Sequence, residues 1–129
     1  MNNRQLLLMG ILLTMALILG ACSPPPPEGT MTAAELLADP VYETEVTVYG
    51  EVSALGELLC PCFILSSGGD RLDVWYDLML EDDGTPRPTV SVEGIENGDT
   101  VVVTGELQPS QGTQPSRTFW ATRIEPVTN

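Results

Sequence analysis

The stretch FILSSGGDRLDVWYD, residues 63–77, has the pattern of two β-strands joined by a tight turn. Ser67-Gly68-Gly69-Asp70 supplies the residue types that a hairpin turn needs between an apolar run and an alternating one. In the second run apolar and polar side chains alternate, which gives a strand one core face and one outer face. We predict the core face as Leu72, Val74, Tyr76 and Leu78, and the outer face as Asp73, Trp75 and Asp77.

The same signals predict three further strands and one short helix around this hairpin. Thr32 and Glu35 form a capping box that begins the helix, and Pro40 ends it after Asp39. Gly50 and Gly105 interrupt two of the strands, as is typical of bends and bulges. The predicted strands cover residues 45–54, 62–66, 71–80, 100–107 and 118–125. We therefore expect an all-β fold, a small five-stranded closed barrel with one short N-terminal helix.

Five segments of the chain resemble a bacterial OB-fold domain over roughly residues 30–127. They are AELLADP, VTVYGEVSAL, FILSSGGDRLDVWYD, IENGDTVVVTGEL and FWATRIEP. The similarity is to exported and anticodon-binding-like OB domains, in which a short helix precedes a long, bent first strand. These motifs mark strand bends and not chemistry, so the resemblance implies a fold without naming a ligand.

The first 21 residues have the pattern of an export signal. Arg4 precedes an apolar run that begins at Leu6, and the small residues Gly20-Ala21 stand directly before Cys22. The run is shorter than the ~18–20 residues that span a hydrocarbon core. We therefore interpret residues 1–21 as a signal peptide that is removed.

Leu19-Gly20-Ala21-Cys22 resembles the lipobox of bacterial lipoproteins. The resemblance implies that Cys22 becomes the first mature residue and carries a diacylglycerol anchor on the extracytoplasmic side. Ser23 at the next position would then direct the protein to the outer membrane if the organism is diderm. Residues 22–30 form the lipidated cysteine and a stiff proline-rich tether, which leaves residues 31–127 as the OB-like domain.

The net charge of the chain limits the classes of partner that it can bind. The formal net charge is −13, with no histidine, and the five cations are all arginines: Arg4, Arg71, Arg87, Arg117 and Arg123. Such a surface repels phosphate backbones, which are held by a basic footprint. Cationic ligands, metal ions, neutral sugars and basic protein patches stay compatible with it. Without histidine, and with no paired base beside a nucleophile, the sequence contains no catalytic constellation, and we expect no enzymatic activity.

Four residues form a candidate ligand groove: Phe63, Asp73, Trp75 and Asp77. OB folds bind single-stranded nucleic acid with aromatic platforms on the second and third strands. Here two carboxylates flank Trp75, and they disfavour a phosphodiester backbone. An aromatic ring between carboxylates instead suits a cation or a sugar.

Cys60-Pro61-Cys62 is the remaining candidate site. Pro61 biases Cys60 towards an extended backbone, and alternation returns Cys62 to the same side of the chain. Three interpretations stay open: a local disulfide that closes the start of the second strand, a metal-binding pair of soft ligands for copper, and two small apolar residues packed under the barrel mouth. Thiol exchange is a further alternative. A closed zinc site is disfavoured because zinc takes four ligands. We expect the pair to be structural first and metal-binding second.

Together these features predict a membrane-anchored, extracytoplasmic OB-fold binding or accessory module. Its partners are the membrane, through Cys22, and another envelope protein. The alternatives are copper or thiol-redox handling at Cys60 and Cys62, and single-stranded nucleic acid binding, which the net charge disfavours.

Replacing the anchor residue tests the predicted lipidation. The variant Cys22→Ser removes the thiol that would carry the lipid, so we expect an unprocessed or unlipidated precursor and the loss of the mature form that partitions into the detergent phase. Phase separation in detergent with mass analysis of the N-terminus measures both effects. A mature Cys22→Ser protein, without residues 1–21, that partitions like the wild type would contradict the lipoprotein interpretation.

Overall fold

The computed structural model describes residues 26–77, 83–84 and 89–128, and within them the chain forms one helix and five strands. The elements are α1 (Ala33–Ala38), β1 (Glu45–Ser53), β2 (Cys62–Ser67), β3 (Asp70–Trp75), β4 (Thr100–Leu107) and β5 (Thr118–Pro126). β3 ends at Trp75, earlier than predicted, and the predicted continuation over residues 78–80 lies outside the described residues. No helix in the described part of the chain is long and apolar enough to cross a membrane.

The strands close into a barrel in the order β1-β2-β3-β5-β4, which confirms the predicted fold class. Four of the five strand pairs are antiparallel, and β3 with β5 is the parallel pair. Because β3 and β5 are neither consecutive nor joined by a hairpin, this parallel contact is what closes the barrel.

Alternate side chains of every strand fill the barrel interior. In β2, β3 and β5 the fully buried positions include Phe63, Val74 and Phe119, which lie on neighbouring strands in register. β1 and β4 contribute a row of valines and Leu107 from the opposite wall. Burial of this continuous apolar surface is the main stabilising term of the domain.

Helix α1 covers one end of the barrel. Its start is the predicted capping box, in which the Thr32 hydroxyl accepts from the Glu35 amide and the Glu35 carboxylate accepts from the Thr32 amide. The helix is bound to the sheet by a hydrogen bond of 2.8 Å from the Ala33 amide to the Ser67 hydroxyl. Ala33 and Leu36 complete the contact as buried members of the core.

Gly105 lies where the backbone of β4 is in close contact with β5. The register of the two strands shifts between Thr104 and Gly105, which is the irregularity expected of a bulge. A Cβ atom at Gly105 would lie 2.1 Å from the Trp120 carbonyl oxygen and 2.8 Å from Cε1 of Phe119. The close contact of the two strands at this register shift therefore depends on the missing side chain.

The variant Gly105→Ala tests this requirement. We expect it to destabilise the domain by roughly 1–3 kcal/mol, because backbone and a core ring must both move to admit the methyl group. Gly112→Ala is the matched control, since a Cβ atom there meets nothing within 4 Å. Urea denaturation measures both variants, and equal stability of the two would contradict the proposed close packing.

Candidate functional site

The parallel pairing of β3 and β5 places two tryptophans side by side on the outer face of the barrel. The Asp73 amide donates to the Arg117 carbonyl at 2.8 Å, and from there Val74 pairs with Phe119 and Trp75 with Trp120. Val74 and Phe119 are fully buried, so alternation directs the two indoles outward, where both side chains are partly exposed.

This pair belongs to a row of paired positions that crosses all five strands, and Cys62, at one end of the row, is buried. Trp75 is paired with Cys62 on one side, and Trp120 is paired with Glu106 on the other. Glu106 is in turn paired with Glu45 of β1. We refer to these five positions, Cys62, Trp75, Trp120, Glu106 and Glu45, as the outer row. It has sulfur at one end, aromatic rings in the middle and two carboxylates at the other end.

A cleft of about 630 Å³ lies beside the outer row. Asp73, Thr118 and Trp120 form its strand side, and Glu43 contributes a further carboxylate. The β4–β5 loop, residues 108–117, provides the other wall with glutamine, serine and proline side chains. The cleft is therefore a polar surface site with one aromatic wall, a lining that suits hydrogen-bonding ligands.

Arg117 is the cation at this cleft, and its charge is already compensated. Its guanidinium binds the Asp70 carboxylate and also donates to the Arg71 carbonyl at 3.0 Å. The hydrogen bond from Arg117, supported by one from the Arg71 amide, lowers the pKa of the Asp70 carboxyl below its ordinary value. Thus the carboxylates Glu43 and Asp73 dominate the charge of the cleft.

Cys60 and Cys62 are joined by a disulfide, with their Cα atoms 5.2 Å apart. The chain turns at Pro61, whose carbonyl accepts from the Tyr76 amide at 3.0 Å, so the segment is shorter than an extended one. Among the described residues, no group of three or more cysteine, aspartate and glutamate side chains is arranged to hold a metal ion.

The structure separates the residues of the predicted groove. Asp73 and Trp75 lie on the outer face as predicted, and Asp77 follows β3 in the connection to β4. The prediction that Phe63 belongs to the groove is wrong, because Phe63 is fully buried. Its ring stacks on Tyr76 at a centroid distance of 6.3 Å. The reason is its pairing with Val74, which puts it on the inner face. Cys22 lies outside the described residues.

Sequence reasoning missed Trp120 and Glu106 as members of the site. Alternation in the segment FWAT would have indicated that Trp120 faces outward, because Phe119 and Ala121 are apolar neighbours on the inner face. Its proximity to Trp75 carries no local signal, since the two residues meet through a pairing of distant strands.

The Asp70–Arg117 pair gives a prediction about protonation. A carboxyl whose pKa is depressed in the folded state stabilises the fold above its unfolded pKa, and this contribution is lost as pH falls through the folded pKa. In Arg117→Gln we expect the pKa of Asp70 to rise towards its ordinary value, as measured by NMR titration of the carboxyl carbon. Arg123→Gln is the control, because Arg123 pairs with Glu125 instead. An unchanged Asp70 pKa in Arg117→Gln would contradict the assignment.

Comparisons with known proteins identify similar folds but no family. No family model matches the chain, and no curated protein matches it.

Among solved structures, OBody AM3L09 bound to hen egg-white lysozyme matches with a TM-score of 0.55 and 19% identity, over 79% of this chain and 97% of that chain. The hypothetical protein YgiW from E. coli matches with a TM-score of 0.53 and 16% identity, over 79% and 94% of the two chains. A chain of the S. pombe Stn1-Ten1 complex matches with a TM-score of 0.51 and 10% identity, over 80% and 79%. At these identities the likeness concerns architecture alone, and it shows that the domain of this chain has an OB fold.

Proposed function

We propose that this protein is a lipid-anchored, extracytoplasmic OB-fold module that binds a basic segment of another envelope protein. The proposed binding surface consists of Trp75 and Trp120, in the middle of the outer row, and of the adjoining cleft. The observation that carries the proposal is the in-register pair Trp75 and Trp120, with carboxylates at neighbouring outward positions.

Aromatic rings beside carboxylates suit arginine and lysine side chains. A guanidinium or ammonium group is attracted to the face of an indole and pairs with a nearby carboxylate. Asp73 lies two residues before Trp75 on the same face of β3, and Glu106 is paired with Trp120 across β4 and β5. Each indole therefore has an acidic group within the same small area, and partly exposed tryptophans are frequent anchors of protein interfaces.

The charge of the protein favours this class of ligand over a polyanion. The chain carries a formal net charge of −13, which attracts basic partners over distances of about a Debye length. Two of its arginines, Arg117 and Arg123, already pair with Asp70 and Glu125. A nucleic acid would need free cations along its backbone, so the surface opposes it.

The N-terminal sequence supports the location of this module. The lipobox-like segment that ends at Cys22 indicates a lipid anchor, and the proline run after it supplies a stiff spacer. The described chain begins within this spacer and continues into the barrel. A module held beside a membrane in this way would meet partners that are themselves in the envelope.

Substitution of the two indoles tests the binding surface. A fluorescent arginine-rich peptide at physiological salt serves as the probe, and its anisotropy reports the dissociation constant. We expect Trp75→Ala and Trp120→Ala each to weaken binding about 5- to 30-fold, the equivalent of about 1–2 kcal/mol for a lost cation–π contact. Tyr49→Ala is the matched control, because Tyr49 is an outward aromatic residue of β1 paired with Val102, outside the outer row.

Two results would contradict the proposal. Equal affinity in the tryptophan variants and in Tyr49→Ala would show that general charge attraction explains the binding. Stronger binding of single-stranded DNA or of a neutral oligosaccharide than of the peptide would assign the surface to a different class of ligand.

A further inference from the structure

We propose that the Cys60–Cys62 bridge is a thiol–disulfide exchange site, at which an external dithiol attacks the sulfur of Cys60. This role does not depend on the ligand proposed for the tryptophan pair. It rests on the unequal exposure of the two cysteines, on the small span of the bridge and on the apolar residues that precede it.

The two sulfurs differ in access. Cys62 is the first residue of β2, is paired with Trp75 and is only 3% exposed. Cys60 lies in the β1–β2 loop, residues 54–61, and is partly exposed. A thiolate must reach one sulfur in line with the bond that breaks, so exchange is directed to Cys60.

The bridge contributes little to holding the barrel together. A disulfide stabilises a fold mainly by closing a loop of the unfolded chain, and the effect decreases as the loop becomes shorter. This bridge encloses Pro61 alone and joins no two distant elements. Its conformational effect is therefore local to the start of β2.

Other contacts hold the β1–β2 loop in place without the bridge. The Leu55 amide donates to the Asn97 side-chain carbonyl at 2.8 Å, and the Asn97 amide group returns a hydrogen bond to the Leu55 carbonyl at 3.3 Å. The Tyr76 amide donates to the Pro61 carbonyl at 3.0 Å. The reduced protein is thus expected to keep its fold, which a site of repeated exchange requires.

The approach to Cys60 is apolar. Leu58 is 39% exposed and Leu59 is fully exposed, and they directly precede Cys60 in the chain. An exposed pair of leucines beside a reactive sulfur gives a docking surface to a dithiol that is presented on an apolar protein face. The acidic surface of the chain, in contrast, repels small anionic thiols.

The exchange balances as a two-electron transfer. One thiolate of the dithiol forms a bond to the Cys60 sulfur, the Cys60–Cys62 bond breaks, and its electron pair leaves on the Cys62 sulfur, which takes a proton from solvent. The second thiolate of the dithiol then attacks its partner sulfur and releases Cys60 as a thiolate, which is protonated in turn. The dithiol is oxidised to a disulfide and the protein is reduced to two thiols.

The first test uses the full-length wild-type protein in detergent with dithiothreitol as the dithiol. We expect the bridge to open at a temperature and pH at which far-ultraviolet circular dichroism shows that the barrel stays folded, with alkylation and peptide mass mapping locating the new thiols at Cys60 and Cys62. Mapping also keeps Cys22 separate from the count. A bridge that opens only when the barrel unfolds would overturn the proposal.

The second test compares the two thiols in single variants that have passed the same circular dichroism check. In Cys62→Ser, the thiol of Cys60 is expected to react with the neutral disulfide dithiodipyridine about tenfold or more faster than the thiol of Cys62 does in Cys60→Ser. Equal rates, or a faster Cys62, would overturn the assignment of Cys60 as the attacked sulfur. If a serine variant does not fold, the corresponding alanine variant replaces it, and the wild-type measurement stands independently.

Discussion

The parallel pairing of β3 with β5 closes the barrel and sets which of their side chains face inward and which face outward. It pairs Val74 with Phe119 inside the barrel, where both are fully buried, and so joins the hairpin of β2 and β3 to the hairpin of β4 and β5. The same register turns Trp75 and Trp120 outward as neighbours. Core packing therefore determines the geometry of the outer face, and a shift of one residue would exchange the two faces.

The outer row brings the two proposed activities onto one surface. Cys62 is paired with Trp75, so the disulfide lies beside the proposed binding surface, at the point where the β1–β2 loop enters β2. Reduction of the bridge would act locally at the start of β2, next to that surface, while the barrel core stays intact.

Most of the fold could be predicted from the sequence because its signals are local. Alternation, the Gly68-Gly69 turn and the Thr32–Glu35 capping box each depend on residues close in sequence, and the structure contains each of them. The candidate site was harder to predict from the sequence, since Trp75 and Trp120 meet only through a long-range parallel pairing. The prediction that Phe63 lines a groove was wrong, although the hairpin register indicates its burial. Counting back from the turn pairs Phe63 with Val74, a predicted core residue.

A measurement of the register of β3 against β5 tests directly whether the barrel closes with Trp75 beside Trp120. The nuclear Overhauser spectrum of the oxidised protein reports it through backbone contacts between the two strands. We expect contacts that align Asp73 with Thr118, Val74 with Phe119 and Trp75 with Trp120. Contacts shifted by one residue would turn one indole into the core, and their absence would leave the barrel open. Either result would contradict a closed barrel that carries two neighbouring outward indoles.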